Sequence, residues 1–312
     1  MRRVYFDNVN FSSNSGPNTF ATRLAERLTL NGHTIADPDD YDIALVFIEP
    51  TRELNKRKPS VHRLDGIWFS PEEFERRNRP IREFFRRANH VIFQSDFDRK
   101  MIINWWDEPK AFSVIHNGID TTPALPMAGF ERLRKTYKNI FICSSSWHPQ
   151  KRLKSNIELF KHLRAVHGAS CLVIVGPNPD VTVADPDIFY AGRQTPEVCL
   201  QMYRSSDWFL HLAWLDHCPN VVIEALSQGL PVICSSEGGT AELVGPESGI
   251  ILKDDSEYNF ELTYYDKPPK INVKQMVALP DVKPVPDAGR FDIGAVASKY
   301  EAVFDSVLGV EK

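Results

Sequence analysis

Short apolar runs alternate with amphipathic stretches along most of this sequence. Runs such as "IALVF" and "SCLVIV" are almost continuously apolar, which is typical of strands buried on both faces of a parallel sheet. Between such runs, stretches like "NTFATRLAERLTL" repeat their apolar residues every three to four positions, which is typical of helices that pack on one face. The alternation therefore predicts an α/β fold with parallel sheets, whose strand-to-helix turns are the expected places for a functional site.

The alternation is interrupted near residue 123 by the proline-containing link "HNGIDTTPALP". We therefore expect two Rossmann-like domains, at residues 1–123 and 124–289, each long enough to bury a core of its own. The pattern fades between Lys253 and about Arg290. An amphipathic helix follows at residues 290–312, and we expect it to pack back toward the first domain.

Composition and charge exclude several classes of protein. The 312 residues carry a net charge of -4, which argues against nucleic acid as a partner. No apolar run approaches the roughly 18 residues that a membrane span needs, and the first residues lack the apolar core of a signal peptide. The five cysteines show no CxxC spacing, so we expect neither disulfides nor structural zinc. These features predict a cytoplasmic protein.

The stretch "LDHCPNVVIEALSQG" follows the apolar run "WFLHLAW". This order places Asp216 in a strand-to-helix loop and Glu224 in the second turn of the helix. An ionised carboxylate accepts hydrogen bonds through two oxygens, which suits the vicinal hydroxyls of a sugar or a ribose. The pair predicts a sugar or nucleotide site. The alternative is a loop acid beside an exposed helical residue.

From Asp216 onward, the stretch "DHCPNVVIEALSQGLPVICSSEGGTAELV" resembles the E-x7-E region of family 4 retaining GT-B glycosyltransferases, also called glycosyl transferases group 1. Asp216 stands where the first glutamate usually lies, and Glu224 matches the second. Further positions in register are Ala225, Gly229, Pro231, Gly238, Gly239 and Glu242. The resemblance is weaker over the rest of the chain. It implies the GT-B fold, with two Rossmann-like domains facing each other across a cleft and a C-terminal helix closing the fold.

The resemblance also implies an activity. Such enzymes move a sugar from a nucleoside diphosphate sugar to a hydroxyl of a glycan or glycolipid acceptor, with retention of the anomeric configuration, and a hexose is the expected sugar. The family's second carboxylate holds the ribose and its first lies beside the donor sugar, which implies these roles for Glu224 and Asp216. The alternatives are a catalytically silent nucleotide-sugar-binding protein and a GT-B sugar-nucleotide epimerase.

Lys151 and Arg152 stand at a helix start after the apolar run "NIFICSSS". Two cations at a helix start are unfavourable unless an anion is near, and a pyrophosphate would supply that anion. The backbone N–H groups around Cys218 and Asn220 would face the sugar or the phosphate. The alternative for the two cations is a solvated surface.

The remaining candidates come from both predicted domains. The resemblance implies that Arg193 contacts the nucleobase, and that His62, with Asp65 after it, lies close to the reacting centre. A buried structural histidine is the alternative for His62. Gly16, before the first helix, lets the backbone approach a phosphate or sugar. No D-x-D-like pair of acids stands at a strand end, so we expect no metal and no cofactor besides the donor substrate.

The stretch from Arg52 to Arg87 is rich in arginine and lysine. It includes the predicted helix "SPEEFERRNRPIREFFRRA", which Pro80 should interrupt or kink. The interleaved glutamates favour a solvated helix face. The alternative is a docking surface for an anionic acceptor or an anionic membrane, which would place this cytoplasmic protein at the membrane periphery.

Overall fold

The computed structural model describes residues 1–13 and 15–310, which divide into two compact units. The first unit comprises Met1–Asp120, Phe260–Thr263 and the segment that begins at Phe291. The second unit comprises Thr121–Asn259 and Tyr264–Arg290. Each unit contains one six-stranded sheet, and the paired strands are parallel. The α/β fold with parallel sheets is therefore confirmed.

The sheet of the first unit consists of β1 (Arg3–Asp7), β2 (Thr34–Ile35), β3 (Ile43–Phe47), β4 (Ser60–Leu64), β5 (His90–Phe93) and β6 (Phe112–Val114). Their order across the sheet is β2-β1-β3-β4-β5-β6. The chain passes from β1 to the edge strand β2 and then returns to β3 on the other side of β1. The strand order therefore reverses between β1 and β3.

The sheet of the second unit consists of β7 (Asn139–Ser144), β8 (Ser170–Val175), β9 (Ile188–Gly192), β10 (Trp208–His211), β11 (Val232–Ser235) and β12 (Gly249–Leu252). Their order is β12-β11-β10-β7-β8-β9. Here the strand order reverses between β7 and β10. The crevice outside the carboxyl ends of the strands at such a reversal is the usual ligand site of doubly wound sheets.

The α-helices are α1 (Gly16–Leu30), α2 (Phe74–Phe85), α3 (Asp96–Trp105), α4 (Phe130–Thr136), α5 (Leu153–His167), α6 (Pro196–Ser205), α7 (Asn220–Ser227), α8 (Thr240–Ser248) and α9 (Ile293–Leu308). Within residues 1–13 and 15–310, no helix is long and apolar enough to cross a membrane.

The core of the first unit follows from the apolar spacing of its helices. Helix α1 buries Phe20, Leu24 and Leu28, which lie on one face because they are four residues apart. Helix α9 adds Tyr300 and Phe304 to the same cluster and packs against α1. Full burial of an apolar side chain of this size contributes about 1.5–3 kcal/mol, so the helix near the end of the chain is an integral part of the first unit.

Most of the segment between Lys253 and Arg290, where the apolar pattern fades, belongs to the second unit, and only Phe260–Thr263 belong to the first. It contains loops and a short 3-10 turn, Val273–Gln275. Ile271 and Met276 are buried in the cluster that also contains the side chains of β7, β8 and β10. Isolated apolar anchors have no period, which explains why the sequence pattern does not reveal them.

Helix α2 differs from its prediction. It begins at Phe74, because residues 71–73 form a turn. It also continues through Pro80, so this proline does not interrupt the helix. Proline has no N–H, so the carbonyl of Arg76 loses its helical donor. Arg76 and Pro80 are both exposed, so water can hydrogen-bond to this carbonyl.

Candidate active site

The loops that follow β7 and β10 lie side by side, because these strands are neighbours in the sheet. In a parallel sheet both loops emerge at the carboxyl edge, here on either side of the reversal in strand order. Lys151 lies in the first loop and Asp216 in the second. The topology thus brings together two charged residues that are 65 positions apart in the sequence.

Lys151 ends the 3-10 turn Pro149–Lys151, and Arg152 leads into α5 with a φ of 49°. This left-handed conformation is uncommon for a residue with a side chain. The buried Asn156 of α5 supports the turn. Its Nδ2 donates to the carbonyl of Arg152 at 3.1 Å, and its Oδ1 accepts from the N–H of Leu212 at 3.2 Å. Since Leu212 directly follows β10, Asn156 ties the Lys151 turn to the neighbouring strand end.

Lys151 and Asp216 form an ion pair. The Nζ atom of Lys151 lies 2.5 Å from Oδ2 of Asp216, and the two side chains are 18% and 14% exposed. The Nε2 atom of His211, the last residue of β10, lies 3.2 Å from the same oxygen. A carboxylate oxygen only accepts hydrogen bonds, so both Lys151 and His211 donate to it. The result is a largely buried anion with two donors on one oxygen.

These contacts shift the pKa values of the groups involved. Burial raises the pKa of Asp216, but the charge of Lys151 and the hydrogen bond from His211 outweigh burial and hold this pKa well below its ordinary value. Burial lowers the pKa of His211, against the opposing effect of Asp216. Burial and the charge of Lys151 also lower the pKa of His148. At neutral pH, Asp216 is therefore ionised and His211 is uncharged.

The backbone of Asp216 is held by the turn that follows β11. The N–H of Gly239 donates to the carbonyl of Asp216 at 2.7 Å, and the N–H of Leu215 donates to the carbonyl of Glu237 at 3.2 Å. Gly238 has a φ of +114°, and a Cβ atom there would lie 2.9 Å from both the N and the O atom of Asp216. The glycine pair of the motif thus allows two loops to pack backbone against backbone.

We expect Gly238→Ala to lower the free energy of unfolding by about 2–4 kcal/mol, because it combines a left-handed φ with a backbone clash. Urea unfolding followed by circular dichroism measures this change. Gly129→Ala is the matched control, since nothing lies within 4 Å of a Cβ atom at Gly129. Equal stabilities of the two variants would contradict the close approach of the loops.

Glu224 is buried in α7, the helix that follows the Asp216 loop. Burial and, to a smaller extent, the charge of Glu224 raise the pKa of Cys199 to about 11 and that of Tyr203 well above its ordinary value. Both of these residues belong to α6, so the charge of the Glu224 carboxylate is felt by side chains of that helix. Cys218 is buried two residues before α7, and the half-buried Asn220 is the first residue of this helix.

The guanidinium of Arg152 is buried and already has partners. Its Nη1 donates to Oδ1 of Asp254 at 2.6 Å, and its Nη2 donates to the carbonyl of Pro269 at 2.8 Å. The side chains of Arg152 and Asp254 are 2% and 0% exposed. A buried cation needs such a counter-ion. The contact of Arg152 with pyrophosphate stays a prediction, and Lys151 is the more accessible of the two cations.

Arg193 follows β9 at the far edge of the same sheet, and its side chain is exposed. Strand β8 separates β9 from β7. The sheet therefore places Arg193 apart from the Lys151–Asp216 pair, and its contact with a nucleobase stays a prediction.

The candidates of the first unit lie on α1 (Gly16), on β4 (His62) and directly after β4 (Asp65). Gly16 begins α1, after the loop that follows β1. His62 is fully buried in β4, and its Nε2–H donates to the carbonyl of Ile48 at 2.7 Å. Asp65 accepts a hydrogen bond from the fully buried Arg63. His62 and Asp65 thus have partners inside the first unit, and their catalytic roles stay predictions.

The buried His62 should make stability depend on pH. Burial lowers its pKa from 6.5 to about 4, so between these values the unfolded chain binds a proton that the folded chain does not. The contribution of His62 to the free energy of unfolding is therefore fully present above pH 6.5 and is lost as the pH falls toward 4. We expect wild type to lose about 2–3 kcal/mol more than His62→Gln between pH 7.5 and 4.5. Urea unfolding at both pH values measures this, and parallel losses would contradict it.

Sequence reasoning misses three residues of this site. His211 is a polar residue inside the apolar run "WFLHLAW", and this interruption is a signal that could have found it. Asn156 lies on the otherwise apolar face of α5, which is a similar signal. Asp254 lies in the segment without a pattern, and nothing in the sequence indicates its pairing with Arg152.

The chain resembles known proteins in sequence. Residues 129–261 match the family described as Glycosyl transferases group 1, and this range contains Lys151, Asp216 and Glu224. A GDP-mannose-dependent alpha-mannosyltransferase of Mycobacterium tuberculosis (strain CDC 1551 / Oshkosh) is 32% identical over 143 residues, which cover 43% of this chain and 36% of that protein. The chain thus spans just over a third of the length of this curated relative.

The fold is shared with solved structures. HepE of Anabaena, in complex with UDP and glucose, superposes with a TM-score of 0.69 at 15% identity over 98% of this chain and 100% of that chain. The sucrose-phosphate synthase of Thermosynechococcus elongatus superposes with a TM-score of 0.71 at 13% identity over 100% of both chains. The resemblance is thereby confirmed: the chain shares the GT-B fold of these solved structures, and its residues 129–261 match the glycosyl transferases group 1 family.

Proposed function

We propose that this chain is a glycosyltransferase that moves a hexose from a nucleoside diphosphate sugar to a hydroxyl of a saccharide or glycolipid acceptor, with retention of the anomeric configuration. The observation that carries the proposal is the Lys151–Asp216 pair at the reversal in strand order, with Glu224 in the helix that follows. An ammonium suits a diphosphate, and carboxylates suit the hydroxyls of a sugar and a ribose. Retention is proposed from the family resemblance.

The proposed mechanism gives each group one task. The diphosphate takes the ammonium of Lys151 as its partner, which stabilises the negative charge that develops on the leaving group. Asp216 then lies beside the sugar and stabilises the positive charge of its oxocarbenium-like transition state. Glu224 accepts hydrogen bonds from the ribose hydroxyls. His62 and Asp65 remain candidates for contacts with the reacting centre.

The relatives suggest the first donors to test, because one is GDP-mannose-dependent and another was solved with UDP and glucose. Thermal-shift measurements with UDP, GDP, ADP and their sugars come first, since a ligand of the folded state raises Tm. We expect one nucleoside diphosphate to raise Tm and its sugar to be hydrolysed slowly without an acceptor. Binding without turnover would instead indicate a silent nucleotide-sugar-binding protein, and isomerisation of the donor would indicate an epimerase. No shift with any of these ligands would overturn the proposal.

We expect turnover to survive chelation by EDTA, because the ammonium of Lys151 supplies positive charge for the diphosphate. Within residues 1–13 and 15–310, no group of three or more His, Cys, Asp or Glu side chains is arranged to hold a metal ion. Donor hydrolysis with and without EDTA measures this. A loss that magnesium or manganese restores would contradict the expectation.

The basic helix α2 bears on a further proposal, peripheral contact with an anionic membrane. In α2, Arg79 pairs with Glu83 at 3.0 Å and Arg82 pairs with Glu75 at 3.3 Å. Such pairs favour a solvated helix face over a free basic surface. Sedimentation with anionic and with neutral vesicles distinguishes a solvated face from a docking surface. A docking surface should bind the anionic vesicles and not the neutral ones, whereas a solvated face should bind neither.

A further inference from the structure

The carboxylate of Asp216 has two donors on one oxygen, and the proposed function would remove one of them. Nζ of Lys151 lies 2.5 Å from Oδ2 of Asp216, and Nε2 of His211 lies 3.2 Å from the same atom. An ammonium that turns toward a diphosphate leaves the first contact. His211 is then the donor that remains on this oxygen.

His211 and Lys151 differ in how firmly they are held. His211 ends β10, which lies inside the sheet between β7 and β11, and its side chain is 4% exposed. Its ring lies nearly parallel to that of Phe209, with the centroids 6.2 Å apart. Lys151 ends a 3-10 turn, and its ammonium stands on a flexible four-carbon stem. The histidine is the rigid partner and the lysine is the mobile one.

The imidazole of His211 is also uncharged, which matters for the charge of its partner Asp216. Because burial keeps His211 uncharged at neutral pH, its N–H orients the carboxylate without neutralising it. A permanently charged side chain in the same place would cancel the negative charge that Asp216 needs beside the sugar. A neutral donor preserves both the orientation and the charge of the anion.

We propose that His211 is a positioning residue, which holds the carboxylate of Asp216 in place once the diphosphate of a donor has drawn Lys151 away. The inference rests on the proposed function and deepens it. His211 acts through Asp216 and does not itself touch the substrate.

Two substitutions separate the hydrogen bond from the bulk of the ring. His211→Leu removes the donor, whereas His211→Gln retains an N–H at a similar distance from the backbone. With UDP-glucose or GDP-mannose, whichever is turned over, we expect His211→Leu to lower kcat by about 10- to 100-fold while donor KM changes by about twofold or less. His211→Gln should recover most of this loss. No loss of kcat in His211→Leu, or no recovery in His211→Gln, would overturn the proposal.

The background variant Asp216→Ala tests whether the effect passes through Asp216. In this background we expect His211→Leu to cause no further loss of kcat beyond about twofold, because both changes remove the same oriented carboxylate. An equal loss in both backgrounds would overturn the proposal. His33→Leu is the matched control: His33 is a buried histidine whose Nε2 lies 3.0 Å from a carboxylate oxygen of Glu301 in the first unit. We expect it to leave kcat within about twofold of wild type.

The contact can also be tested without turnover, by the ring-nitrogen resonances of His211 in ligand-free protein. We expect Asp216→Ala to shift the Nε2–H resonance, and Asp185→Ala, which removes an acid paired with Arg164 elsewhere in the second unit, to leave it unchanged. An Nε2–H resonance of His211 that does not shift in Asp216→Ala would overturn the positioning role. If no nucleotide sugar is turned over, the proposed function fails, whereas a resonance that depends on Asp216 still supports the positioning contact.

Discussion

Asp216→Ala is expected to lower kcat by about 10²- to 10³-fold, with a much smaller rise in donor KM. The carboxylate is ionised and oriented before any donor binds, because Lys151 and His211 both donate to its Oδ2 atom. A preorganised charge of this kind acts mainly on the transition state, in which the sugar becomes positive, so its loss affects kcat more than KM. Steady-state kinetics with the identified donor measures both constants.

Asp216→Glu is the informative companion of this variant. It restores the residue that stands at this position in the resembling family, and it retains the charge. The backbone of Asp216 packs closely against Gly238, so the loop has little room to shift. We expect Asp216→Glu to keep activity provided that its extra methylene fits without moving this backbone. An unaltered kcat in Asp216→Ala would show that Asp216 is only a loop acid.

Lys151→Ala is expected to lower the affinity for the nucleoside diphosphate by about 10- to 100-fold and to leave the affinity for the bare nucleoside unchanged. The reason is that its ammonium is proposed to contact the diphosphate alone. Isothermal titration calorimetry with both ligands measures the difference. Equal losses for the two ligands would mean that Lys151 acts through the fold, for example by leaving the buried charge of Asp216 without its cation.

Two further variants serve as controls for Lys151→Ala. Lys161→Ala removes another lysine of the second unit, whose Nζ lies 3.9 Å from a carboxylate oxygen of Asp185, and it should change neither affinity. Glu224→Gln should weaken the nucleoside and the diphosphate alike, because both carry the ribose that Glu224 is proposed to hold. A loss in Glu224→Gln that is confined to the diphosphate would contradict this division of roles.

Much of the fold could be predicted from the sequence because its signals are local. An apolar run such as that of β8, or the spacing of Phe20, Leu24 and Leu28 in α1, reflects the side-chain period of a single element. The motif at Asp216 and Glu224 is equally local, since it covers one loop and the helix after it. Helix α2 shows the limit of such signals, because whether Pro80 breaks a helix depends on the exposure of its surroundings.

The sequence by itself determined the α/β class, the resemblance and the two carboxylates, since each depends on residues close together in the chain. Only the tertiary structure decided which groups meet: Lys151 with Asp216 across 65 positions, and Arg152 with Asp254 across 102. These pairs form because the strand order reverses between β7 and β10 and because the segment after β12 is anchored in the core. Strand order and long-range packing arise from the whole chain at once, and no periodicity within one segment encodes them.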